Sequence, residues 1–490
     1  MIMLHRAFGS TLRSRTSAQI SSIFQKRYMA ATPTDFNRIL YTPLTDADPD
    51  LKDIIDKETW RQFSGIELIA SENRTSRAAM EANGSILTNK YSEGLPKARY
   101  YGGNQYIDEL EELCQARALK AFNLDPSSWG VNVQPYSGST ANFAALSAVL
   151  RPQDIFMGLG LPDGGHLAHG YDATKKSFRS VPYGLDTATG LIDYVDLKQL
   201  ATQSKPRLIV CGASAYPRDW DYESLRAIAN EHGAFLMADI AHTSGLLAAG
   251  TLKDPFAFCD IVTTTTHKTL RGARGGLVFF RNDGEHHKGL GDRVNEAVYP
   301  GCQGGPHNNA IAGVAAALHQ AAQPEFKAYA QQVIKNAQAL AAWLMGNGYK
   351  LQTNGTDNHI ILWDLRPLNL TGAALEKVCE IAGISITKHT VLGDQDAQSP
   401  GGVRLGTSAL TSRSLMPKDM ETIGSFLHRA VQLSLGLQKK VQFGTSADFS
   451  RVASEDTAVK ALAQEVGVFA RSWPFPGVDT KNLKKPACLA

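Results

Sequence analysis

A lysine and an aspartate occupy positions at which the sequence predicts that strands of a parallel sheet end. In Val262–Gly276 (VTTTTHKTLRGARGG), four threonines end a predicted strand, and His267 and Lys268 follow at once. Asp239 ends an earlier predicted strand and precedes Lys268 by 29 residues, about one strand–helix–strand unit. Because the carboxyl ends of parallel strands lie at one edge of a sheet, both side chains can point into one cleft. A surface lysine in a loop is the ordinary alternative.

A lysine and an aspartate in this arrangement suit pyridoxal phosphate. The lysine amine would form a Schiff base with the aldehyde of the cofactor, and the aspartate would keep the pyridine nitrogen protonated, so that the ring accepts electrons. A buried lysine near other cations has a lowered pKa, which favours exchange of its amine for that of a substrate.

The cofactor phosphate would need a binding site of its own. Ser137, Gly138 and Ser139 precede a predicted helix over Thr140–Leu150, and backbone N–H groups at a helix start bind a dianion well. Helix capping is the commoner role of a serine in such a position. The sequence contains no G-x-x-x-x-G-K-[ST] motif, so a P-loop nucleotide site is not supported.

A glycine-flanked loop places one carboxylate among aromatic residues. Within Thr88–Gly103 (TNKYSEGLPKARYYGG), Glu93 lies between Tyr91 and the pair Tyr100–Tyr101. This composition suits a flexible loop that touches substrate, although tyrosines more often pack than bind.

An arginine interrupts an apolar strand pattern near the C-terminus. Arg404 lies within Gly402–Thr407 (GVRLGT), and an arginine inside such a strand needs an anionic partner from the protein or from a ligand. A substrate carboxylate, held by two parallel hydrogen bonds, is one candidate.

The elements that would position these residues form two groups. In the first, strands alternate with a helix, which predicts parallel βαβ units: Leu208–Cys211, Tyr222–Gly233 (helix), Ala234–Ile240 and Asp260–Thr266. From about residue 326 a long helix is followed by strands and a shorter helix: Glu325–Gly346, a strand near Leu351, Asn358–Leu365 and Thr371–Ala382. We therefore predict an arm over 31–65, a large domain over 66–325, a small α+β domain over 326–475 and a tail over 476–490.

The 490 residues carry a formal net charge of +3 that is not spread evenly. Residues 1–34 hold five of the 50 basic residues and no acidic one, so 45 basic residues face 47 acidic ones in the remainder. The Arg- and Ser-rich start predicts a transit peptide over residues 1–30 and a location in the mitochondrial matrix, with a disordered basic tail as the alternative. The near-neutral remainder gives no reason to expect nucleic-acid binding.

Two further classes are not favoured by the composition. No uninterrupted apolar stretch is long enough for a membrane span. The six cysteines form no C-x-x-C pair, which argues against a zinc ribbon and a disulfide scaffold and favours a reducing compartment. We therefore predict no metal site.

Several long motifs in a fixed order carry a family resemblance over roughly residues 40–475. They are IELIASEN (66–73), LTNKYSEG with RYYGG (87–94 and 99–103), QPYSGSTAN (134–142), LPDGGHLAHG (161–170), LMADIAHTSGL (236–246), VTTTTHKTLRGARGG (262–276), QGGPHN (303–308) and SPGGVRLGT (399–407). With these motifs the sequence resembles the serine hydroxymethyltransferases, which are fold-type I pyridoxal-phosphate enzymes. The resemblance implies an α/β fold, with a mostly parallel seven-stranded sheet flanked by helices and a smaller C-terminal α+β domain.

The resemblance also implies roles for individual residues. Lys268 would carry the cofactor covalently, and Asp239 would contact its ring nitrogen. Further cofactor contacts would come from a larger set: Ser137, Gly138, Ser139, His166 stacked on the ring, Ser214, His242, His267, Thr265 near the reacting centre, and Tyr91, Gly304 and Gly305 acting across to a neighbouring subunit. The substrates would be held by another set: Ser71 and Arg404 at the substrate carboxylate, Glu93 and Tyr101 from the neighbour's loop, and Leu161, Gly165 and Leu167 at the folate.

The implied reaction is the reversible transfer of a one-carbon unit between L-serine and glycine, with tetrahydrofolate as co-substrate. Glu93 would manage the proton of the serine hydroxyl, and the chain would form an obligate dimer within a tetramer. Two alternatives compete: a related fold-type I enzyme such as a threonine aldolase, and a catalytically inactive scaffold. The sequence departs from the family pattern at four places: Leu95, Lys97–Ala98, Ser408 in place of a usual proline, and Ser414 in place of a usual glycine.

Overall fold

A computed structural model describes residues 37–170, 173–394, 399–441, 445–481, 483 and 485–486. The predicted transit peptide lies outside the described residues. Residues 37–60 belong to one compact unit, and residues 61–483 form a second one. None of the helices within the described ranges combines the length and the apolar character needed to cross a membrane.

The helices are α1 Leu44–Ala47, α2 Pro49–Ser64, α3 Arg77–Asn83, α4 Gln105–Ala121, α5 Gly138–Val149, α6 Ala173–Ser177, α7 Tyr194–Ser204, α8 Tyr222–Glu231, α9 Ser244–Ala248, α10 Leu290–Glu296, α11 Asn308–Ala321, α12 Pro324–Gly346, α13 Gly372–Ile381, α14 Ser408–Ser412, α15 Asp419–Lys440, α16 Ser446–Glu455 and α17 Thr457–Arg471. The strands are β1 Ile66–Glu67, β2 Gly94–Leu95, β3 Ala98–Arg99, β4 Trp129–Asn132, β5 Ile155–Leu159, β6 Arg179–Tyr183, β7 Leu208–Cys211, β8 Phe235–Asp239, β9 Ile261–Thr265, β10 Gly276–Arg281, β11 Lys350–Leu351, β12 Ile360–Asp364, β13 Ile384–Ser385, β14 Thr387–His389 and β15 Gly402–Gly406.

The large sheet has seven strands in the order β4-β10-β9-β8-β7-β5-β6. Strands β5 to β9 pair in parallel, and only β10 runs antiparallel to its neighbours β4 and β9. The predicted mostly parallel sheet is therefore confirmed. The predicted strand over 208–211 has the expected bounds, whereas the strands predicted over 234–240 and 260–266 are one residue shorter at each end.

The apolar composition of the central strands follows from burial on both faces of the sheet. Along β7, Ile209 and Cys211 join one hydrophobic cluster, and Leu208 and Val210 join another. Successive side chains of a strand point to opposite faces. Such a strand needs helices on both sides, as βαβ connections provide.

The C-terminal region contains a four-stranded antiparallel sheet in the order β11-β12-β15-β14. Its core packs against α12, α13 and α15 and is separate from the cores of the large sheet. The helix predicted over 325–346 is confirmed and begins one residue earlier, at Pro324. The predicted domain boundaries at 65, 325 and 475 remain predictions.

Ser414, one of the departures from the family pattern, has a left-handed backbone. Its φ is +71° and its side chain is exposed. An L-residue pays a steric penalty in this region that glycine avoids, although glycine loses more entropy on folding. We expect Ser414→Gly to raise the free energy of unfolding by about 0.5–1 kcal/mol in urea titrations. Ser450→Gly, inside α16, serves as the control and should destabilise, so equal effects of both substitutions would contradict this explanation.

Glu67, on β1, is buried with a carboxylate neighbour. Burial and the negative charge of Glu72 raise its pKa from 4.5 to about 7. A proton therefore binds more tightly to the folded chain, so the stability that it contributes is present below about pH 4.5 and is lost as the pH rises through about 7. Glu67→Gln mimics the protonated form.

We expect Glu67→Gln to be more stable than the parent chain at pH 8 by about 3 kcal/mol, with the difference disappearing below about pH 4.5. Melting curves across this pH range measure the effect. The exposed Glu421→Gln on α15 is the matched control. A stability difference for Glu67→Gln that does not change with pH would argue against a buried shared proton.

Candidate active site

Asp239 and Lys268 meet at the carboxyl edge of the large sheet, as predicted. Asp239 is the last residue of β8 and pairs in parallel register with Thr263 on β9. Strand β9 ends at Thr265, and Lys268 follows three residues later. The carboxylate of Asp239 acts electrostatically on the Lys268 amine, so the two predicted partners face one site.

Asp239 is held as a carboxylate by three donors. Its Oδ2 accepts hydrogen bonds from Asn142 Nδ2 at 2.7 Å and His169 Nε2 at 3.0 Å, and its Oδ1 accepts the N–H of Ala241 at 3.0 Å. Burial alone would raise the pKa of Asp239, but the bond from His169 and nearby positive charge hold it well below its usual range. A persistent buried anion at this position can hold a proton on a basic ring nitrogen.

The tautomer of His169 follows from its two contacts. The backbone N–H of His166 donates to His169 Nδ1 at 3.4 Å, so Nε2 carries the hydrogen that points to Asp239. His166 in turn accepts the N–H of Ala168 through Nδ1 at 3.1 Å. Burial lowers the pKa of His166, which keeps its ring neutral and suited to stacking on an aromatic cofactor.

Lys268 has an amine that is easily deprotonated. Burial lowers its pKa to about 8, opposed by Asp239 and assisted by Arg404 and Arg274. Its backbone carbonyl accepts a hydrogen bond from Asn73 Nδ2 at 2.9 Å. A lysine with this pKa supplies neutral amine near neutral pH, as a nucleophile requires.

The Ser137–Ser139 segment forms the start of α5. Ser137 is the N-terminal capping residue, but its hydroxyl makes no capping hydrogen bond, so the alternative role as a helix cap does not account for it. The side chains of Ser137 and Ser139 are exposed, and a Cβ on Gly138 would lie 2.6 Å from Thr265 Cγ2. Free hydroxyls and backbone N–H groups at a helix start suit a phosphate.

Arg404 lies in the middle of β15 and is 8% exposed. Its Nη1 donates to the carbonyl of Ser214 at 2.8 Å, while its Nε is buried without a partner. Burial lowers the pKa of Arg404 to about 10. Within the described part of the chain no carboxylate pairs with it, so this guanidinium retains donors for an anionic ligand.

Two histidines near Lys268 stack on each other. The rings of His242 and His359 are 5.6 Å apart, and His242 Nδ1 lies 3.5 Å from His359 Nε2. Burial, together with the charges of Lys268 and Arg404, lowers the pKa of His242 far below its usual value and that of His359 to about 3. Both rings are therefore neutral beside two cations.

The remaining cofactor candidates cluster around the end of β9. Thr265 Oγ1 donates to the carbonyl of Ala241 at 3.2 Å. His267 is largely buried, and burial, together with Arg274 and Lys268, lowers its pKa to about 4. Thus Thr265 and His267 both lie within three residues before the predicted attachment point, Lys268.

The glycine-flanked loop over residues 88–103 forms a surface together with Gly304 and Gly305. Tyr91 and Tyr101 are exposed and their rings meet at 5.2 Å. A Cβ on Gly304 would lie 3.4 Å from Glu93 Oε1, and one on Gly305 would lie 3.0 Å from Tyr91. The charges that act most strongly on Lys268 are those of Asp239, Arg404 and Arg274. The structure therefore brings these loop residues together with each other.

The substrate candidates outside the loop lie on two segments. Ser71 follows Ala70, which packs against Gly406 at the end of the Arg404 strand. Leu161 and Leu167 lie on short 3-10 turns after β5, and Leu167 is exposed. Gly165 lies between them, and a Cβ there would collide with the carbonyl of Leu159 at 2.0 Å.

Four residues of the site were not singled out from the sequence: Asn73, Asn142, His169 and His359. Three of them lie inside recognised motifs, IELIASEN, QPYSGSTAN and LPDGGHLAHG, but their partners are distant in sequence. His359 had no signal, because a histidine at the start of a strand is usually structural.

The geometry fits pyridoxal phosphate. The chain offers a buried amine for its aldehyde, a buried carboxylate for its ring nitrogen, and free serine hydroxyls at a helix start for its phosphate. The unpaired Nε of Arg404 leaves a hydrogen-bond donor for an anionic substrate.

Comparisons with known proteins agree on one family. The profile of the family "Serine hydroxymethyltransferase" matches residues 44–427. The chain is 52% identical to serine hydroxymethyltransferase 4 of Arabidopsis thaliana over 461 residues, which cover 90% of this chain and 98% of that protein. It is 51% identical to the chloroplastic serine hydroxymethyltransferase 3 of the same plant over 447 residues (89% and 84%). It is 50% identical to the cytosolic enzyme of Oryctolagus cuniculus over 470 residues (92% and 97%).

Proposed function

The chain belongs to the serine hydroxymethyltransferase family, and from this premise we propose how its own residues perform the reaction. It is a glycine hydroxymethyltransferase that interconverts L-serine and tetrahydrofolate with glycine and 5,10-methylenetetrahydrofolate, in one-carbon metabolism. It depends on pyridoxal phosphate, as the family does. The observation that carries the proposal is the buried Asp239 carboxylate at the same sheet edge as the buried Lys268 amine.

Lys268 is the residue that binds the cofactor covalently. When bound, pyridoxal phosphate supplies an electron sink for the electron pair released as the Cα–Cβ bond of serine breaks. The pKa of about 8 lets Lys268 act as a free amine both when the cofactor binds and when substrate is exchanged for product. As the family resemblance implies, its proposed role is attachment and exchange rather than removal of a Cα proton.

The other residues of the site bind and orient the cofactor and the serine substrate. Asp239 would hold the proton on the ring nitrogen, and His166 would stack on the ring. Ser137–Ser139 would bind the phosphate, while Ser214, His242, Thr265 and His267 would line the ring. The guanidinium of Arg404, with Ser71, binds the serine carboxylate, and this fixes which bond at Cα breaks.

The residues proposed to contact the folate and the serine hydroxyl come from both subunits of a dimer. Leu161, Gly165 and Leu167 contact the folate, and Glu93 takes and returns the proton of the serine hydroxyl. Glu93, Tyr91, Tyr101, Gly304 and Gly305 act from the neighbouring subunit. The exposure of both tyrosines and the contact of Tyr91 with Gly304 and Gly305 support this assignment.

Serine cleavage measured with and without tetrahydrofolate tests the function. We expect glycine formation to accelerate strongly when folate is present, because the folate captures the released carbon. A threonine aldolase would cleave its substrate at the same rate with and without folate. An inactive scaffold would cleave no substrate under either condition. Equal rates with and without folate would overturn the proposal.

A dimer with shared sites, assembled into a tetramer, is the proposed quaternary structure. Mixing inactive Lys268→Ala chains with inactive Glu93→Ala chains tests it, because a mixed dimer would contain one complete site. Random exchange should restore about a quarter of the parental activity. Recovery of no activity after proven subunit exchange, or full activity of a monomer on size exclusion, would contradict it.

The proposed location is the mitochondrial matrix, with residues 1–30 as the transit peptide. The support is the basic, acid-free composition of this segment. The relatives named above include a cytosolic and a chloroplastic enzyme, so location differs within the family. Import into isolated mitochondria of a reporter carrying residues 1–34, compared with the same segment with its five basic residues replaced by glutamine, tests this location.

A further inference from the structure

A cluster of two histidines and an aspartate lies at the end of β9 that is opposite to Lys268. Asp260 directly precedes β9, whereas Lys268 follows the end of that strand. A five-residue strand spans roughly 15 Å, so the two places are well separated. His286 and His287 lie in the turn after β10, and their ring nitrogens and a carboxylate oxygen of Asp260 all lie within 4.8 Å of one another.

The two oxygens of Asp260 have different partners. Its Oδ2 accepts hydrogen bonds from Arg226 Nη1 at 2.9 Å and from the N–H of Leu236 at 2.7 Å. Its Oδ1 faces His287 Nε2 at 2.9 Å. The carboxylate is buried and fixed in orientation, and its Oδ1 points to the histidines.

His287 has an acceptor at each ring nitrogen. Its Nδ1 lies in hydrogen-bond contact with the carbonyl oxygen of Asp283, and its Nε2 faces Oδ1 of Asp260. A neutral imidazole carries a single N–H and can satisfy only one of these contacts. With the hydrogen on Nδ1, the lone pair of Nε2 points to Oδ1 of Asp260, and a cation bound by both atoms would stabilise this arrangement.

His286 adds a ring nitrogen on the solvent side, near the carboxylate of Asp260 and the ring of His287. Its ring is exposed and packs against Phe235, with ring centroids 4.4 Å apart. The Phe235 contact limits rotation of the imidazole. The Asp283 carbonyl orients His287 in the way that an outer hydrogen-bond partner orients a metal-ligating histidine.

We propose that Asp260, His286 and His287 form a binding site for a divalent transition-metal ion. Two imidazoles and one carboxylate suit Zn²⁺, with water in the remaining positions. The ion provides a positive charge between Nε2 and Oδ1 and fastens the 283–287 turn to the start of β9. The sequence had predicted no metal site, because folding is needed to bring Asp260 beside the histidine pair. The proposal is independent of the catalytic assignments.

Zn²⁺ titration of the tag-free, cofactor-saturated enzyme tests the site by calorimetry. The holoenzyme is needed because His166, His169 and Asp239 also lie close enough together to hold an ion. We expect one Zn²⁺ per chain and a higher melting temperature on binding. In His286→Ala and His287→Ala the affinity should fall at least about tenfold, with the rate of serine cleavage unchanged.

His319→Ala, which removes an exposed histidine from the last turn of α11, is the matched control and should bind Zn²⁺ like the parent. Equal Zn²⁺ affinity in His287→Ala and the parent would overturn the proposal. So would the absence of Zn²⁺ binding to the parent.

Discussion

Lys268→Ala is expected to lower the turnover of serine by on the order of a thousandfold or more. The amine proposed to bind the cofactor and to exchange with substrate would be absent, and alanine cannot replace it. The purified protein, supplied with pyridoxal phosphate, should also lack the visible absorbance of the lysine-bound cofactor. Borohydride reduction followed by mass spectrometry should label the peptide containing residue 268 in the parent chain only.

A matched substitution separates this effect from a general loss of lysine charge. Lys460 is exposed on α17, and Lys460→Ala should keep both activity and absorbance. Covalent labelling of a different lysine in the parent chain would show that the cofactor attachment has been misassigned.

Arg404→Lys is expected to reduce kcat/KM for serine by about a hundredfold or more, mainly through KM. A lysine cannot make the two parallel hydrogen bonds that a guanidinium makes to a carboxylate. Each hydrogen bond to a charged group is worth about 1.5–3 kcal/mol. The unpaired Nε of Arg404 marks the donor that the substrate would use.

Ligands with and without a carboxylate show whether Arg404 acts on that group. Binding of glycine, followed by the change in the visible spectrum, should weaken strongly in Arg404→Lys, whereas binding of methylamine should not. Arg429→Lys, at an exposed arginine paired with Glu465 on the surface, should leave both unchanged. If both ligands weakened equally in Arg404→Lys, the arginine would have a structural role instead.

The central sheet and the placement of Asp239 and Lys268 at one of its edges could be predicted because their signals are local. Asp239 ends an apolar strand and Lys268 follows a β-branched one, and the spacing of one βαβ unit places both at one edge. The place of Arg404 inside a strand could be predicted from the apolar pattern around it, whereas its role stays a prediction. These inferences depend on short-range periodicity and on the topology that parallel strands require.

The partners of these residues could not be predicted, because they depend on packing between distant segments. His169 and Asn142 both donate to Asp239 from elements 70 and 97 residues away. His359 reaches His242 from the second sheet across 117 residues. Asp260 lies beside His287 only because two strands begin and end at the same edge. No periodic pattern in the sequence encodes such distances.

The hydrogen bond from the Asn73 side chain to the backbone carbonyl of Lys268 has a consequence for unfolding. Its amide also donates to Tyr329 Oη at 2.8 Å on α12 and accepts from Ser412 Oγ at 2.7 Å on α14. The position of the reactive lysine therefore depends on segments that lie far apart in the chain. Local opening of these contacts would loosen the lysine before the large sheet unfolds, so loss of cofactor absorbance should precede loss of secondary structure on heating.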